Sequence, residues 1–203
     1  VVVGADPQQG KGRGVVSTSN YEARKYGITS GNPISKAWQL CPDAVFLPVN
    51  YSLYRKVSAK IMKILEKYAD KFERWGLDEA FLDVSSRVQS FEEAEKLAQQ
   101  IKNEVNQQEN LTCSVGVGPN KLVAKIASDF VKPDGLTVVR PKDVQSFLKS
   151  LGVRKLLWVG KKTEIRLNNM GIKTIGDLAS FNPNILIEKF GSSGTQLYLM
   201  AHG

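Results

Sequence analysis

Apolar residues repeat at helical spacing in several segments, and the repeat predicts five helices before residue 140, at residues 20–26, 33–41, 51–70, 91–107 and 121–130. In the third segment one face collects Leu53, Val57, Ile61, Ile64, Leu65 and Tyr68. Thr18 or Ser19 is expected to cap the first helix and Asn120 the last, because short polar side chains accept hydrogen bonds from free amides at helix starts.

Short apolar runs between these helices predict strands, at residues 1–4, 15–17, 45–49, 72–76, 79–84, 111–117 and 135–139. Residues 9–14 form a glycine-rich basic loop without the spacing of a phosphate-binding P-loop. Strands and helices that alternate with hairpins around one sheet indicate the α+β class. After Pro141 the pattern changes to short helices only, so we expect a domain boundary near residue 140.

Composition places the chain among ordinary globular proteins, with 42% apolar and 24% charged residues. Its net charge is +8, and residues 140–203 hold ten basic and four acidic residues, a net of +6. Such an excess suits a polyanion, most often a nucleic acid, although a solvated lysine-rich surface would look the same. No apolar run is long enough to span a bilayer, so no membrane association is expected.

Scarce residue types narrow the possible chemistry. The single histidine, His202, makes a Ser-His-Asp triad or a histidine-rich zinc site untenable. The two cysteines, Cys41 and Cys113, form no CxxC pair and are typical of buried thiols in a reducing compartment, which favours the cytoplasm. An enzyme of this composition would depend on carboxylates, lysines, arginines, hydroxyls or a hard metal ion.

Asp78 and Glu79 are the first candidates for such chemistry. They lie between two predicted strands, with Asp83 further along. Neighbouring strand residues point to opposite faces, so both carboxylates reach one point only if the backbone bends, and Gly76 allows a bend. Two carboxylates at a sheet edge suit Mg²⁺, which prefers oxygen ligands. The alternative is a pair of turn acids that cap a hairpin.

Two further groups could bind anions. Tyr21 and Arg24 are three positions apart on one predicted helix face and could bind phosphate oxygens together with Thr18. The alternative is a surface turn with a salt bridge from Glu22. The second group comprises three lysines in and after the helix that follows Asn120, which could equally be solvated: Lys121, Lys125 and Lys132.

In this order the motifs resemble those of one enzyme family. Residues 17–27 (STSNYEARKYG) resemble the fingers signature of Y-family DNA polymerases, and residues 77–83 (LDEAFLD) resemble their catalytic motif. A further conserved block of that family is matched by SVGV, NK, AKIAS and KPDG, at residues 114–117, 120–121, 124–128 and 132–135. Residues 157–179 look like the family's thumb. The polymerase IV branch, in its archaeal form, is the nearest match.

The resemblance implies a right-hand polymerase core of the α+β class, with fingers at 1–49, a mixed palm sheet flanked by helices at 50–139, and a helical thumb at 140–203 with helix-hairpin-helix-like turns at Gly160 and Gly171. It implies template-directed translesion synthesis from dNTPs on primer-template DNA, with two Mg²⁺ ions. Asp78 and Glu79 would be the metal ligands and catalytic carboxylates. Thr18, Tyr21, Arg24 and Lys132 would bind the nucleotide, and Gly160, Lys161 and Lys162 the DNA.

Four departures from the family pattern stand out. The N-terminal palm strand with the first metal aspartate and the sugar-gate aromatic is not in this sequence, and neither is the little finger, so we expect a partial core with weak or no activity by itself. Gly76 replaces a usual serine, and Trp158 replaces the first glycine of the thumb turn. A monomer is expected, with a sliding clamp as partner through C-terminal regions absent here. A palm-fold nucleotide cyclase and a non-catalytic DNA-binding module remain alternatives.

Overall fold

Three short strands pair near the N-terminus in the computed structural model, which describes all 203 residues. Contacts divide the chain into two units, Val1–Val57 and Ser58–Gly203. In the first unit the strand order is β2-β1-β3, with β1 antiparallel to β2 and parallel to β3. Its elements are β1 (Val2–Gly4), β2 (Val16–Ser19), α1 (Tyr21–Lys25), α2 (Ile34–Leu40) and β3 (Phe46–Leu47).

The core of the first unit fixes the junction between β2 and α1. Val2 and Val16 are fully buried with Ile28 and Ile34. Asn20 caps α1 by accepting a hydrogen bond from the amide of Ala23 at 3.1 Å. The cap is therefore one residue later than the Thr18 or Ser19 predicted, because both of these residues still belong to β2.

The second unit opens within a long helix and continues with two separate pairs of strands. β4 and β5 form an antiparallel hairpin, while β6 and β7 pair in parallel across a connecting helix. The elements are α3 (Tyr51–Glu66, which crosses the division), β4 (Lys71–Arg74), β5 (Ala80–Asp83), α4 (Phe91–Glu109), β6 (Val115–Val117), α5 (Lys121–Ser128) and β7 (Leu136–Val138). The α+β class is confirmed, whereas the single sheet was wrong, since the strands lie in three sheets.

A lysine inside the second unit connects α4 to the segments around β6 and β7. Lys102 is buried, and its ammonium group donates to the carbonyl of Cys113 at 2.7 Å, to the carbonyl of Asp134 at 2.9 Å and to the carboxylate of Asp134. Burial raises the pKa of the Cys113 thiol, which is free and half-buried. A buried ammonium group is stable only with such partners, so Lys102 is a structural residue.

Short helices alone follow residue 140, as predicted. They are α6 (Val144–Lys149), α7 (Lys161–Asn169), α8 (Ile175–Ala179), α9 (Pro183–Phe190) and α10 (Ser192–Ala201), with short 3₁₀ turns before α6 and α7. Their largest buried side chains include Leu148, Leu167, Leu178 and Leu186, and α5 contributes Val123 to the same core. None of the helices combines the length and the apolar composition that a membrane span requires.

Candidate functional site

The hairpin between β4 and β5 presents Asp78 and Glu79. The amide of Trp75 donates to the carbonyl of Glu79 at 2.8 Å, which closes the turn, and Gly76 has a φ of +101°. This left-handed backbone is easy for glycine and unfavourable for a residue with a Cβ, so Gly76 permits the expected bend. Arg74 donates to the carbonyl of Gly76 at 2.7 Å and holds the turn from one side.

The two carboxylates have different surroundings. Asp78 is exposed and has neither a hydrogen bond nor an ion pair within the protein. Glu79 is half-buried, and its Oε1 accepts a hydrogen bond from Lys125 of α5 at 2.8 Å. Asp78 is therefore available to a cation from solvent, while the carboxylate of Glu79 is oriented by a lysine from another element.

Lys125 belongs to a chain of alternating charges. It also contacts Asp129 at 2.8 Å, and Asp129 pairs with Lys132 at 2.5 Å. Burial would lower the pKa of Lys125, but the hydrogen bonds with Asp129 and Glu79 raise this pKa above its usual value. Burial likewise opposes ionisation of Asp129, yet the two lysines lower its pKa. These two shifts favour the charged forms of Lys125 and Asp129. We name the four residues Glu79, Lys125, Asp129 and Lys132 the charge chain.

Lys121 and Asp83, which the sequence analysis also identified as candidates, lie beside the hairpin and make different contacts. Lys121 pairs with Glu73 of β4, and its ammonium group lies 5.6 Å from the centre of the Phe81 ring. Asp83 ends β5, where it accepts a hydrogen bond from the amide of Ser85 at 3.0 Å, which lowers its pKa. Asp83 caps the turn that follows β5, whereas Asp78 precedes this strand.

In the first unit, Tyr21 and Arg24 contact each other on α1, and Thr18 precedes them on β2. All three side chains are exposed. The guanidinium of Arg24 lies 4.7 Å from the centre of the Tyr21 ring, and its Nε donates to the carbonyl of Ser19 at 3.0 Å. The predicted shared helix face of Tyr21 and Arg24 is confirmed. Glu22 pairs with Lys25 at 2.8 Å.

Gly160, Lys161 and Lys162 lie at the start of α7. Gly160 occupies the position before the helix without a side-chain cap, and all three residues are exposed. A side chain at Gly160 would meet no atom within 4 Å, so the helix start is open to solvent. Gly171, with a φ of +81°, follows the end of α7. Amides of an open helix start and nearby lysines attract phosphate groups.

Asp129 is the charged residue that sequence reasoning missed. It lies four positions after Lys125 and three before Lys132, and its pairing with Lys125 follows the ordinary helix rule for residues four apart. That spacing was a usable signal. No comparable signal exists for the contact of Lys125 with Glu79, because these residues are 46 positions apart.

Mg²⁺ is compatible with the donors that this hairpin offers. No group of three or more carboxylate, histidine or cysteine side chains forms a metal cluster in this chain. The hairpin contributes two neighbouring carboxylates, and both oxygens of Asp78 lack a protein partner. Mg²⁺ usually takes one or two carboxylates and completes its octahedron with waters and substrate phosphates, so this donor set fits.

Comparison with known proteins gives consistent results. The model of the impB/mucB/samB family matches residues 1–129. The chain is 57% identical over 203 residues to DNA polymerase IV 2 of Methanosarcina mazei, a match that covers all of this chain and 55% of that protein. It is 48% identical over 200 residues to DNA polymerase IV of Nitrosopumilus maritimus, again over 55% of that protein. The chain thus spans about half the length of these relatives.

Solved structures show the same likeness. The crystal structure of DinB from Sulfolobus solfataricus superposes with a TM-score of 0.90 at 41% identity, over 99% of this chain and 59% of that one. The insertion ternary complex of Dbh DNA polymerase also gives a TM-score of 0.90 at 41% identity, with the same coverage.

Proposed function

Because this chain belongs to the impB/mucB/samB family, that is, to the Y-family polymerases of the polymerase IV branch, we propose that it carries the catalytic hairpin of a template-directed translesion DNA polymerase. The observation that carries this proposal is the β4–β5 turn, which presents an unpartnered Asp78 beside a Glu79 oriented by Lys125. By the family resemblance, residues near Gly14, Val15 and Ser17 would lie over the nascent base pair, where their small size would leave space for a damaged base.

Asp78 and Glu79 are the residues that would hold two Mg²⁺ ions. When bound, the metal activates the primer 3′-hydroxyl and stabilises the leaving pyrophosphate. Asp78 offers both of its oxygens as ligands. Glu79 offers the oxygen that Lys125 leaves uncovered, and the contact with Lys125 keeps this carboxylate in one orientation.

Four residues would bind the triphosphate of the incoming dNTP. Arg24 and Tyr21 offer a guanidinium and a hydroxyl from one face of α1, and Thr18, which precedes them on β2, offers a second hydroxyl. Lys132 offers an ammonium group from the end of the charge chain. Cationic donors lower the energy of the negative charge that develops on the transferring phosphoryl group. These roles rest on the family motifs that the residues match.

DNA would contact the open start of α7 at Gly160, Lys161 and Lys162 through its phosphates, which positions a strand without reading its sequence. We keep fingers at 1–49, palm at 50–139 and thumb at 140–203 as the domain assignment within this proposal. The proposal further includes a monomer that acts in the cytoplasm and binds a sliding clamp.

Nucleotide binding and primer dependence test this function against its two rivals. The protein is titrated with a dNTP in Mg²⁺ and in EDTA. Turnover of the dNTP is then measured, with and without primer-template DNA, in a chimaera in which these 203 residues replace the matching segment of DNA polymerase IV 2 from Methanosarcina mazei. A polymerase binds the dNTP only with the metal and incorporates it only onto a primer 3′-hydroxyl. A nucleotide cyclase would form product without a primer, and a DNA-binding module would show no metal-dependent dNTP binding. Either of these results would overturn the proposal.

A further inference from the structure

Trp158 has a backbone conformation that a tryptophan rarely adopts. Its φ is +67°, in the left-handed region that favours glycine, and its side chain is 77% exposed. The flanking Leu156 and Val159 are buried, so the segment is anchored on both sides while the indole is directed outward. A bulky residue persists in such a strained conformation only where its surroundings impose it, and strain of this kind concentrates at functional positions.

The Trp158 ring makes a tilted contact with the hairpin of the candidate site. The ring centres of Trp158 and Trp75 are 5.8 Å apart with planes inclined by 46°, and Trp75 in turn meets the edge of Phe81 at 5.3 Å. Trp75 belongs to the turn that presents Asp78 and Glu79. Since Trp158 is still largely exposed, the contact with Trp75 uses only a small part of its surface.

Several basic residues lie within four positions of Trp158 along the chain. Lys155, Lys161 and Lys162 are exposed and form no ion pair, and Arg154 pairs only with Glu164 at 3.1 Å. α7 spans nine residues, and its first amides lack a side-chain cap. A flat aromatic surface bordered by unpaired cations and free amides is complementary to a nucleotide, which combines an aromatic base with a negatively charged phosphate.

We propose that Trp158, which packs against Trp75, is a stacking site for one nucleotide of a DNA strand. The phosphates of this strand would contact Lys161 and Lys162. The inference rests on the proposed function in one respect, namely that the partner is DNA. It adds a base contact to a helix start that otherwise offers only phosphate contacts. Stacking of this kind tolerates every sequence, because each base has an aromatic face.

Replacement of the indole tests the site. Trp158→Gly removes the ring and suits a φ of +67°, so the backbone keeps its conformation. Trp158→Phe keeps an aromatic face. Leu199→Ala, at a 62% exposed apolar residue of α10, is the matched control for the loss of an exposed side chain. Affinity is measured by fluorescence anisotropy, without Mg²⁺ or dNTP, for a labelled oligothymidylate and for an abasic strand of the same length and charge.

Trp158→Gly is expected to weaken oligothymidylate binding by about five- to a hundredfold, the range of one lost base stack. Binding of the abasic strand stays the same, Trp158→Phe retains most of the affinity, and Leu199→Ala has no effect. The salt dependence of binding is the same in Trp158→Gly as in the parent, because the phosphate contacts remain.

Three results would overturn the proposal: unchanged oligothymidylate binding by Trp158→Gly, an equal loss for both strands, or failure of the parent protein to bind either strand. The first result would mean that the Trp158 ring only packs within the protein. The second would mean that the ring contacts the sugar-phosphate backbone of the DNA rather than a base. Because the assay contains neither metal nor nucleotide, its outcome is independent of whether Asp78 and Glu79 are catalytic.

Discussion

Arg24 and Tyr21 form a phosphate-binding candidate from two residues of one short helix. The guanidinium lies over the ring at 4.7 Å and is fixed through Nε by the carbonyl of Ser19. Its terminal nitrogens make no hydrogen bond within the protein. The ring and the carbonyl therefore orient the charge while its outer donors stay available to a ligand.

Arg24→Ala is expected to raise the KM for dNTP about ten- to a hundredfold, the effect of one lost charge-assisted hydrogen bond. Tyr21→Phe has a smaller effect, because it removes one hydroxyl and keeps the ring beneath the guanidinium. Lys25→Ala, on the same helix but paired with Glu22, is the control. Steady-state kinetics are measured with these 203 residues placed in the matching segment of DNA polymerase IV 2 from Methanosarcina mazei, and are compared with the Kd for primer-template DNA, which should change little. Parental dNTP kinetics in both variants would refute the assignment.

At the scale of residues, the features that could be predicted from the sequence are those that depend on residues only a few positions apart. The shared face of Tyr21 and Arg24 and the cap at Asn120 follow from helix geometry and are confirmed. The contact of Glu79 with Lys125 and the left-handed backbone of Trp158 depend on the fold around them, and no local pattern encodes either feature.

At the scale of elements, α5 connects the hairpin to the loop that carries Lys132. β6 lies directly against this helix, and a Cβ at Gly116 would collide with its backbone. Lys125 extends from α5 to Glu79 on one side and to Asp129 on the other. The charge chain therefore depends on the close packing of α5 against β6.

The charge chain predicts a pH dependence of stability. The pKa of Asp129 is lowered on folding, so its stabilisation is complete above the ordinary aspartate pKa and is lost as the pH falls through the lowered value. The pKa of Lys125 is raised on folding. Its contribution to the stability of the fold is therefore complete below the ordinary lysine pKa and is lost as the pH rises through the raised value.

Asp129→Asn should accordingly lower the free energy of unfolding at pH 7 by about 1 kcal/mol or less, since the carboxylate is partly exposed. The difference from the parent should shrink as the pH falls from the ordinary aspartate pKa of about 3.9 through the lowered pKa of Asp129, where the parent's carboxylate is protonated. Urea unfolding across this range measures both effects. Asp143→Asn, which loses no ion pair, is the control. A deficit that stays constant down to pH 2 would contradict the pKa argument.

Most elements could be predicted, but their pairing could not. Apolar periodicity identified the long helices α3 and α4 and the hairpin strands β4 and β5 within a few residues. The periodicity of apolar residues shows which segments are extended, but it does not show which strands exchange hydrogen bonds. For this reason we predicted a single sheet, whereas the strands lie in three. Of the strand predicted over 111–117, only Val115–Val117 forms a β-strand, because β7 provides a hydrogen-bonding partner there.

At the scale of the whole molecule, the order of the motifs carried the family assignment, and the family model and the relatives confirm it. The basic excess of residues 140–203 includes Lys161 and Lys162 in the first turn of α7, where we propose the contact with DNA phosphates. The core shared by α5 and the C-terminal helices was not predictable, because it joins residues on both sides of the expected boundary near 140.

The central claim is that the turn with Asp78 and Glu79 catalyses nucleotide transfer. It is tested most directly by placing these 203 residues in the matching segment of DNA polymerase IV 2 from Methanosarcina mazei, to which they are 57% identical. Primer extension is then measured for the chimaera, its Glu79→Gln variant and a Glu95→Gln control on the exposed face of α4. The measurement is the extension rate at saturating dNTP and Mg²⁺, with the Kd for primer-template DNA measured alongside.

We expect the chimaera and the control to extend primers at similar rates. Glu79→Gln should slow extension on the order of a hundredfold or more while the Kd for DNA is nearly unchanged, because the lost charge acts mainly in the transition state. Extension by Glu79→Gln within a few-fold of the chimaera would contradict the account and move the catalytic site away from this hairpin.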